Sequence, residues 1–387
     1  MMSNIFKGTQ FSSFVFELTL NGHNSLIPHY IKTMREAQLV KHRVKQQIEF
    51  MPALLLHNGN AAIFPNTISV IQGQSGVHKS GIAQLICASL IKHPANINFL
   101  LGFEVQEEVK DIHALYIDTE RNLADQFPFA MQKIITQAGY SISDNLTNFH
   151  FISFLSAPRK ERPELLNLFL KDYTQRLNGH LVVVLDVSTD FIEDFNSVND
   201  TMKLSDVMNN MINQHKVTFL CVIHENPGSE KARGHYGTEM SNKATTVIQV
   251  AENKHLKSPS PIYQLKYLKN RNTKRLPSIH FEYDEIERCL VTVKEEIIKD
   301  LQELNIIKAT KEEVTKVFES FFEMHECIMR TALLKLLESE LDISERTAID
   351  RLSDFYKDES PISKDGLTYK LCKRKVKQGD QYYLILK

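Results

Sequence analysis

Between residues 61 and 295, short β-branched and aromatic runs alternate with stretches whose apolar residues recur at helical spacing. That alternation predicts a parallel sheet with crossover helices. The strand candidates are Thr67–Gln72, His113–Asp118, Phe149–Phe154, Leu181–Asp186 and Val217–His224, followed by Thr245–Ala251, Ile262–Lys269, Ser278–Tyr283 and Cys289–Val293. Val182-Val183-Val184-Leu185 and Phe219-Leu220-Cys221-Val222-Ile223 are apolar at every position, as strands covered on both faces must be. Helices are predicted at Ser80–Lys92, Leu123–Ala138, Pro163–Leu177 and Asn199–His215. The last four strand candidates follow one another without intervening helices, which predicts an antiparallel meander at the end of the sheet.

The flanking segments read differently. Few strand signals precede residue 61 beyond Phe14–Leu20, and a helix is predicted over Leu26–Phe50, with Ile27, Ile31, Met34, Leu39 and Val40 on one face. After residue 295 helices come first and a hairpin last. Thr310-Lys311-Glu312-Glu313 is a capping box, a second helix fits Met329–Leu341 and a third begins near Ser344. Tyr369–Val376 and Tyr382–Leu386 form the hairpin about Lys377-Gln378-Gly379-Asp380, which is the winged-helix order. The expected division is therefore an N-terminal helical segment over 1–60, an α/β core over 61–295 and a winged-helix domain over 296–387.

Composition sets the limits. The chain has 387 residues, 42% of them apolar and 24% charged, with a formal net charge of −1, an ordinary globular balance. No apolar stretch approaches the roughly 18 residues that span a bilayer, and Met1–Gly8 lacks a secretory layout, so no membrane role is expected. The five cysteines lie far apart without a C-x-x-C pair, which argues for a reducing, cytoplasmic compartment. Net charge gives no support to nucleic-acid binding, so DNA contact must rest on local sites.

The strongest local signal is Gly73-Gln74-Ser75-Gly76-Val77-His78-Lys79-Ser80, set between a strand and a helix. A phosphate-binding loop needs small residues so that backbone N–H groups turn onto the phosphate, a Lys for the β/γ-oxygens and a hydroxyl for Mg²⁺. The pattern departs at one position: His78 stands where the second glycine belongs. An ordinary strand-to-helix turn containing Lys-Ser is the alternative. Two further runs fall where a nucleotide site needs them. Gly179–Asp186 is an apolar strand ending in a carboxylate, a layout that brings Asp186 to the sheet edge to hold Mg²⁺ through water. Ala114–Glu120 also ends in carboxylates, and Glu120 is placed to orient or deprotonate an attacking water; the alternative is a solvated strand end.

In this order, the loop with Lys-Ser, the Leu-Tyr-Ile-Asp-Thr-Glu strand, the Val-Val-Val-Leu-Asp strand and a strand ending in His224 resemble the RecA-like ATPases. Within these the chain looks most like the hexameric RepA/DnaB-type replicative helicases. Val222–Gly234 resembles the segment after the fourth core strand of RepA-type ATPases, and Lys269-Asn270-Arg271-Asn272 is similar to the K-x-R motif of DnaB-type helicases. The likeness covers about residues 61–295. It implies that Lys79 and Ser80 bind the phosphates and Mg²⁺ of ATP, that Asp186 is the Walker B acid and Glu120 the catalytic carboxylate. It further implies that His224 senses the γ-phosphate and that Arg271, with Lys269, is a finger completing a neighbouring subunit's site in a hexamer-like homo-oligomeric ring. The sequence departs from the family after Gly234, where His235-Tyr236-Gly237-Thr238-Glu239-Met240 replaces a run of small residues.

Two regions are candidates for DNA. The loops after the Walker B and sensor strands, about Ser188–Asn199 and Glu225–Lys243, would face a ring's channel. The second offers Lys231, Arg233 and Lys243 among glycines. The terminal module offers Arg346 and Arg351 on its third helix and Lys373, Arg374 and Lys375 on its hairpin, although residues 296–387 hold 16 Lys/Arg against 18 Asp/Glu. The function these features predict is an ATP-hydrolysing, DNA-acting RecA-fold ATPase of replication or mobile-element maintenance. The alternative is a nucleotide-binding regulatory or scaffold protein whose winged helix chooses DNA or partner.

Overall fold

The computed structural model describes residues 24–256, 258–271, 273, 274, 276–306 and 309–387, without the side chains of 24 and 302–306. The Phe14–Leu20 strand candidate lies outside them. Residues up to Pro52 form one unit and Ala53–Lys387 a second. In the first, helix α1 covers Ile27–Arg43 and buries none of its side chains. It is shorter than the predicted Leu26–Phe50: beyond Arg43 one turn winds down through Lys45 and Gln46, and the chain then runs irregularly to Pro52.

The second unit opens with strands β1 (Leu55–His57) and β2 (Asn60–Ile63), the core strand β3 (Ile68–Gly73), helix α2 (Lys79–Leu90) and strand β4 (Phe103–Val105). β5 (Ile112–Asp118), α3 (Gln126–Gln137), β6 (Phe149–Ser153), α4 (Arg162–Thr174) and β7 (His180–Asp186) follow. Next come α5 (Val198–His215), β8 (Val217–His224), α6 (Gly234–Lys243), and strands β9 (Thr246–Glu252), β10 (Tyr263–Asn270), β11 (Ile279–Asp284) and β12 (Cys289–Thr292). The main sheet has nine strands in the order β12-β11-β10-β9-β3-β8-β7-β5-β6, parallel from β9 through β6 and antiparallel from β9 through β12. The predicted core strands and the closing meander are all present. β1, β2 and β4 form a separate antiparallel sheet that the pattern did not announce, because each strand is only three or four residues long.

Every residue of β3 and β7 is buried, and all of β8 up to its terminal His224. Two apolar layers explain this. α2 and α3 cover one face through Ile82, Leu85, Ile86, Met131 and Ile134; α4, α5 and α6 cover the other through Leu166, Leu170, Met208, Met211 and Met240. Each side chain of a central strand therefore leaves water whichever way it points. Ordering the strands β9-β3-β8-β7-β5 separates the strand of the phosphate-loop candidate from the strand of Asp186 by one, β8. This is a mostly parallel α/β core covered by helices on both faces.

Helices α7 (Glu295–Ile306), α8 (Lys311–Met324), α9 (Arg330–Leu341) and α10 (Glu345–Lys357) and strands β13 (Cys327–Met329), β14 (Pro361–Lys364), β15 (Leu367–Val376) and β16 (Gly379–Leu386) complete the chain. The predicted capping box is formed: Glu313 N donates to Thr310 Oγ1 at 3.2 Å and Thr310 N to Glu313 Oε2 at 2.8 Å. The expected hairpin sits in a four-stranded antiparallel sheet, β13-β16-β15-β14, over a core of Phe318, Phe322, Leu333, Leu337, Leu352 and Phe355.

Candidate nucleotide site

The phosphate-loop candidate spans the end of β3 and the first turn of α2. Helix starts leave backbone N–H groups without intrahelical partners, and α2 begins at Lys79 itself. Gly73 has no room for a Cβ, which would lie 2.2 Å from the Val250 carbonyl oxygen. Gly76 takes φ +82°. His78 adopts the left-handed conformation, φ 65° and ψ 26°, the geometry that ordinarily favours glycine. Its ring does not fill the loop. It stacks on Tyr283 with centroids 5.6 Å apart and meets the edge of Tyr263 at 4.7 Å, and burial together with the nearby Lys133 lowers its pKa. The bulk that breaks the glycine pattern is thus housed between two tyrosines of the meander.

Lys79 is 5% exposed, and its ammonium donates to the Gln74 carbonyl at 2.5 Å, closing the loop on itself. Burial lowers its pKa, against the opposing pull of Asp186, Glu225 and Glu120. Ser80 Oγ donates to Asp186 Oδ1 at 2.9 Å. The predicted hydroxyl and Walker B carboxylate therefore meet across 106 residues of sequence. Both are hard oxygen donors, the set that Mg²⁺ takes while keeping most of its waters, so these residues fit the ion. Lys79, Ser80, Asp186, Glu120 and His224 lie together at the carboxyl edge of the sheet. His224 Nε2 stands 4.0 Å from Glu120 Oε1, and His224 is the main influence holding the Glu120 carboxyl below its usual range, against partial burial.

The structure adds groups that sequence reasoning missed. Tyr116 donates to Asp186 Oδ2 at 2.5 Å, and burial followed by that carboxylate raises its pKa. Arg121 Nη1 donates to Asp186 Oδ2 at 3.0 Å and also to Asp118 Oδ2. Burial opposes the Arg121 charge, but Tyr116, Asp186 and Asp118 outweigh it and raise its pKa. Asp118 is the register partner of Asp186, and burial raises its pKa against the backbone N–H groups of Arg121 and Glu120 that it accepts. Those bonds fold the turn that presents Glu120. Arg121 was visible as the residue after the acidic run, but nothing in its spacing pointed inward.

On the other side of the loop, Gln72 donates to Glu225 Oε1 and the Glu230 carbonyl, both at 2.8 Å, and Gln249 donates to the same Glu225 oxygen at 2.8 Å. Gln74 donates to the Asn226 and Ser229 carbonyls at 2.6 and 2.9 Å. The glycine-containing segment after β8 is therefore tied to the phosphate loop by two glutamines flanking Gly73. Its second half is not a loop, as the sequence led us to expect, but helix α6, because Arg233 and Gly234 turn the chain into a regular start after which Thr238 and Ser241 bond back to the preceding turn. Lys231 stays exposed, Arg233 lies over the Phe195 ring at 4.5 Å and Lys243 pairs with Glu239 on the helix.

The remaining predicted residues lie away from these. Lys269 Nζ donates to the Ser241 and Asn242 carbonyls at 2.7 and 2.8 Å, and Arg271 Nη2 to the Asn242 carbonyl at 2.6 Å; both sit on the carboxyl end of α6, where positive charge compensates the negative end of the helix dipole. In the terminal module, Arg351 pairs with Asp354 and Arg346 is exposed on α10. Lys373 lies over Tyr356 and Arg374 over Tyr383, while Lys375 is exposed. All five cysteines are free thiols. Among the described residues no helix is long and apolar enough to cross a membrane.

No protein-family model matches the sequence, and no curated protein does. Among solved structures the chain is similar to the flagellar accessory protein FlaH from Methanocaldococcus jannaschii, at 14% identity and a TM-score of 0.41, over 61% of this chain and 92% of that one. No finding at the level of sequence families ties the chain to the RepA/DnaB helicases.

Proposed function

We propose that the chain is a RecA-type ATPase that binds and hydrolyses ATP with Mg²⁺ at the interfaces of a hexamer-like homo-oligomer and acts on DNA in replication or mobile-element maintenance. Its working parts are the segments 1–60, 61–295 and 296–387. The observation that carries the reading is the gathering of Lys79, Ser80, Asp186, Glu120 and His224 around one strand-to-helix turn. Lys79 gives up its bond to the Gln74 carbonyl and binds the β/γ-oxygens. Ser80 and Asp186 would hold Mg²⁺, which when bound would offset charge on the phosphate oxygens. Glu120, kept ionised beside His224, orients the attacking water and takes its proton. His224 registers the γ-phosphate through that same carboxylate, 4.0 Å from its Nε2. Arg271, with Lys269, reaches a neighbouring subunit's site by leaving the end of α6, and DNA lies along Lys231, Arg233 and the basic hairpin.

The test separates binding from turnover. Fluorescent-nucleotide titration of the full chain should show Mg²⁺-dependent ATP binding, and phosphate release should be abolished in Lys79→Ala. Persistent release in that variant would remove the site assignment. Tight binding without release, with or without DNA, would instead support the regulatory or scaffold reading. Sizing with and without ATP tests the ring.

A further inference from the structure

We infer that the cavity lined by the terminal sheet and the segment between α8 and β13 is a pocket for an unpaired nucleobase, so that the winged helix engages the single-stranded end of a nucleic acid rather than a duplex groove. The inference rests on the DNA reading above and deepens it. The cavity is about 350 Å³, within the roughly 300–1,000 Å³ of small-ligand sites. Its walls combine the rings of His325, Tyr369 and Tyr383 with two cations, Lys364 and Arg374; Glu326 is the one carboxylate among them.

Several of these groups are held in place before any ligand arrives. His325 stacks on Phe321 with centroids 4.5 Å apart. Arg374 is fixed by its Nε donating to Gln381 Oε1 at 2.9 Å and by lying 5.3 Å over the Tyr383 ring. Phe322 is 1% exposed and packs beneath the pocket as part of the module's core. An apolar ligand would leave the two cations unused, and a simple inorganic anion would leave the rings unused. A nucleotide outside a duplex uses both, because its base offers a flat face to the rings while its phosphate meets Lys364 or Arg374. Lys373 and Lys375 flank Arg374 on β15 and project from the opposite face of the strand, Lys373 over the Tyr356 ring, so they add a general positive charge to the hairpin rather than to the pocket wall. A paired base could not enter, since its edges and faces are already occupied.

The experiment uses the full chain and three labelled oligonucleotides: a single strand, a duplex with a single-stranded tail and a blunt duplex, the first two also carrying 2-aminopurine at the free end. Anisotropy should show the tailed and single-stranded probes binding at least tenfold tighter than the blunt duplex, and 2-aminopurine emission should fall on binding as the base stacks. Tyr383→Ala should weaken tailed binding by about five- to one-hundredfold, the worth of one stacked base. Tyr383→Phe should restore both affinity and quenching, and Arg374→Gln, a change on the surface, should weaken binding while leaving the fold intact by circular dichroism. Equal affinity for all three probes, or tight binding with unchanged emission and indifferent variants, overturns the pocket while leaving the DNA reading in place. If no probe binds at all, both fall. ATP binding, measured separately, bears on neither outcome.

Discussion

Arg121 provides the sharpest quantitative test of the electrostatics at the sheet edge. Asp118 and Asp186 stand opposite each other on β5 and β7 with side chains 0% and 1% exposed, and the Arg121 guanidinium, 22% exposed, bonds to both. At the 3.0 Å separation from Asp186 the gross attraction is about 5 kcal/mol at an effective dielectric of about 20. Desolvation offsets much of that in the intact pair. Removing only the cation leaves two facing buried carboxylates uncompensated, which costs about 3–5 kcal/mol. For a chain of 387 residues this is a fall of about 4–6 °C in melting temperature. Arg121→Gln should show that drop by circular dichroism. Adding Asp186→Asn in the same background should recover more than about 2 kcal/mol, because one of the repelling charges is gone. Millimolar Mg²⁺ without nucleotide should stabilise Arg121→Gln more than the wild type. Additivity of the two single variants within about 0.5 kcal/mol would refute the reasoning, since independent sites add and this network should not.

Three further outcomes follow from the same geometry. His78→Gly should change ATP affinity by less than about threefold in a nucleotide titration, because the imidazole packs against Tyr263 and Tyr283 rather than toward the phosphate; a tenfold gain would show that it crowds the loop. Burial depresses the pKa of His57 and of His180 to about 4 from 6.5, so the folded chain binds fewer protons than the unfolded one between those values. Their contribution is intact above pH 6.5 and declines as pH falls toward 4, by up to about 1.4 kcal/mol per pH unit for each group. Urea midpoints at pH 7 and pH 5 should differ accordingly, and the difference should shrink in His180→Gln. Gln74→Ala removes two bonds to the 226–229 backbone and should speed tryptic cleavage at Lys231 severalfold; an unchanged cleavage rate would mean that Gln72 and the strand alone fix the segment.

The sheet was legible because its central strands are buried on both faces, and a short run such as Val182–Leu185, three of its four residues β-branched, reads as a strand. The site was legible to the extent that its members end strands or start a helix: Lys79, Ser80, Asp186, Glu120 and His224 are placed by sheet topology, and the sequence alone orders them. Arg121, Gln72 and Gln249 escaped notice because their importance lies in side-chain direction across strands far apart in the chain, which spacing along one strand does not encode. The same holds for His78. Its left-handed backbone could be anticipated from the loop pattern, but the tyrosines that receive its ring belong to β10 and β11, some two hundred residues later. Lys269 and Arg271 show the converse, a motif whose residues are present but engaged at the end of α6.

Two adjacent residues at the end of β8 face different business. His224 turns toward Glu120, whereas Glu225 is buried against Gln72 and Gln249, with its N–H on the Gly73 carbonyl. Rotating the single peptide between them cannot move one side chain without dragging on the other. Whatever draws the imidazole forward must therefore tug at the glutamines under the turn and at the stretch beyond them, so that this short piece of backbone acts as a rocker whose two arms are one residue long.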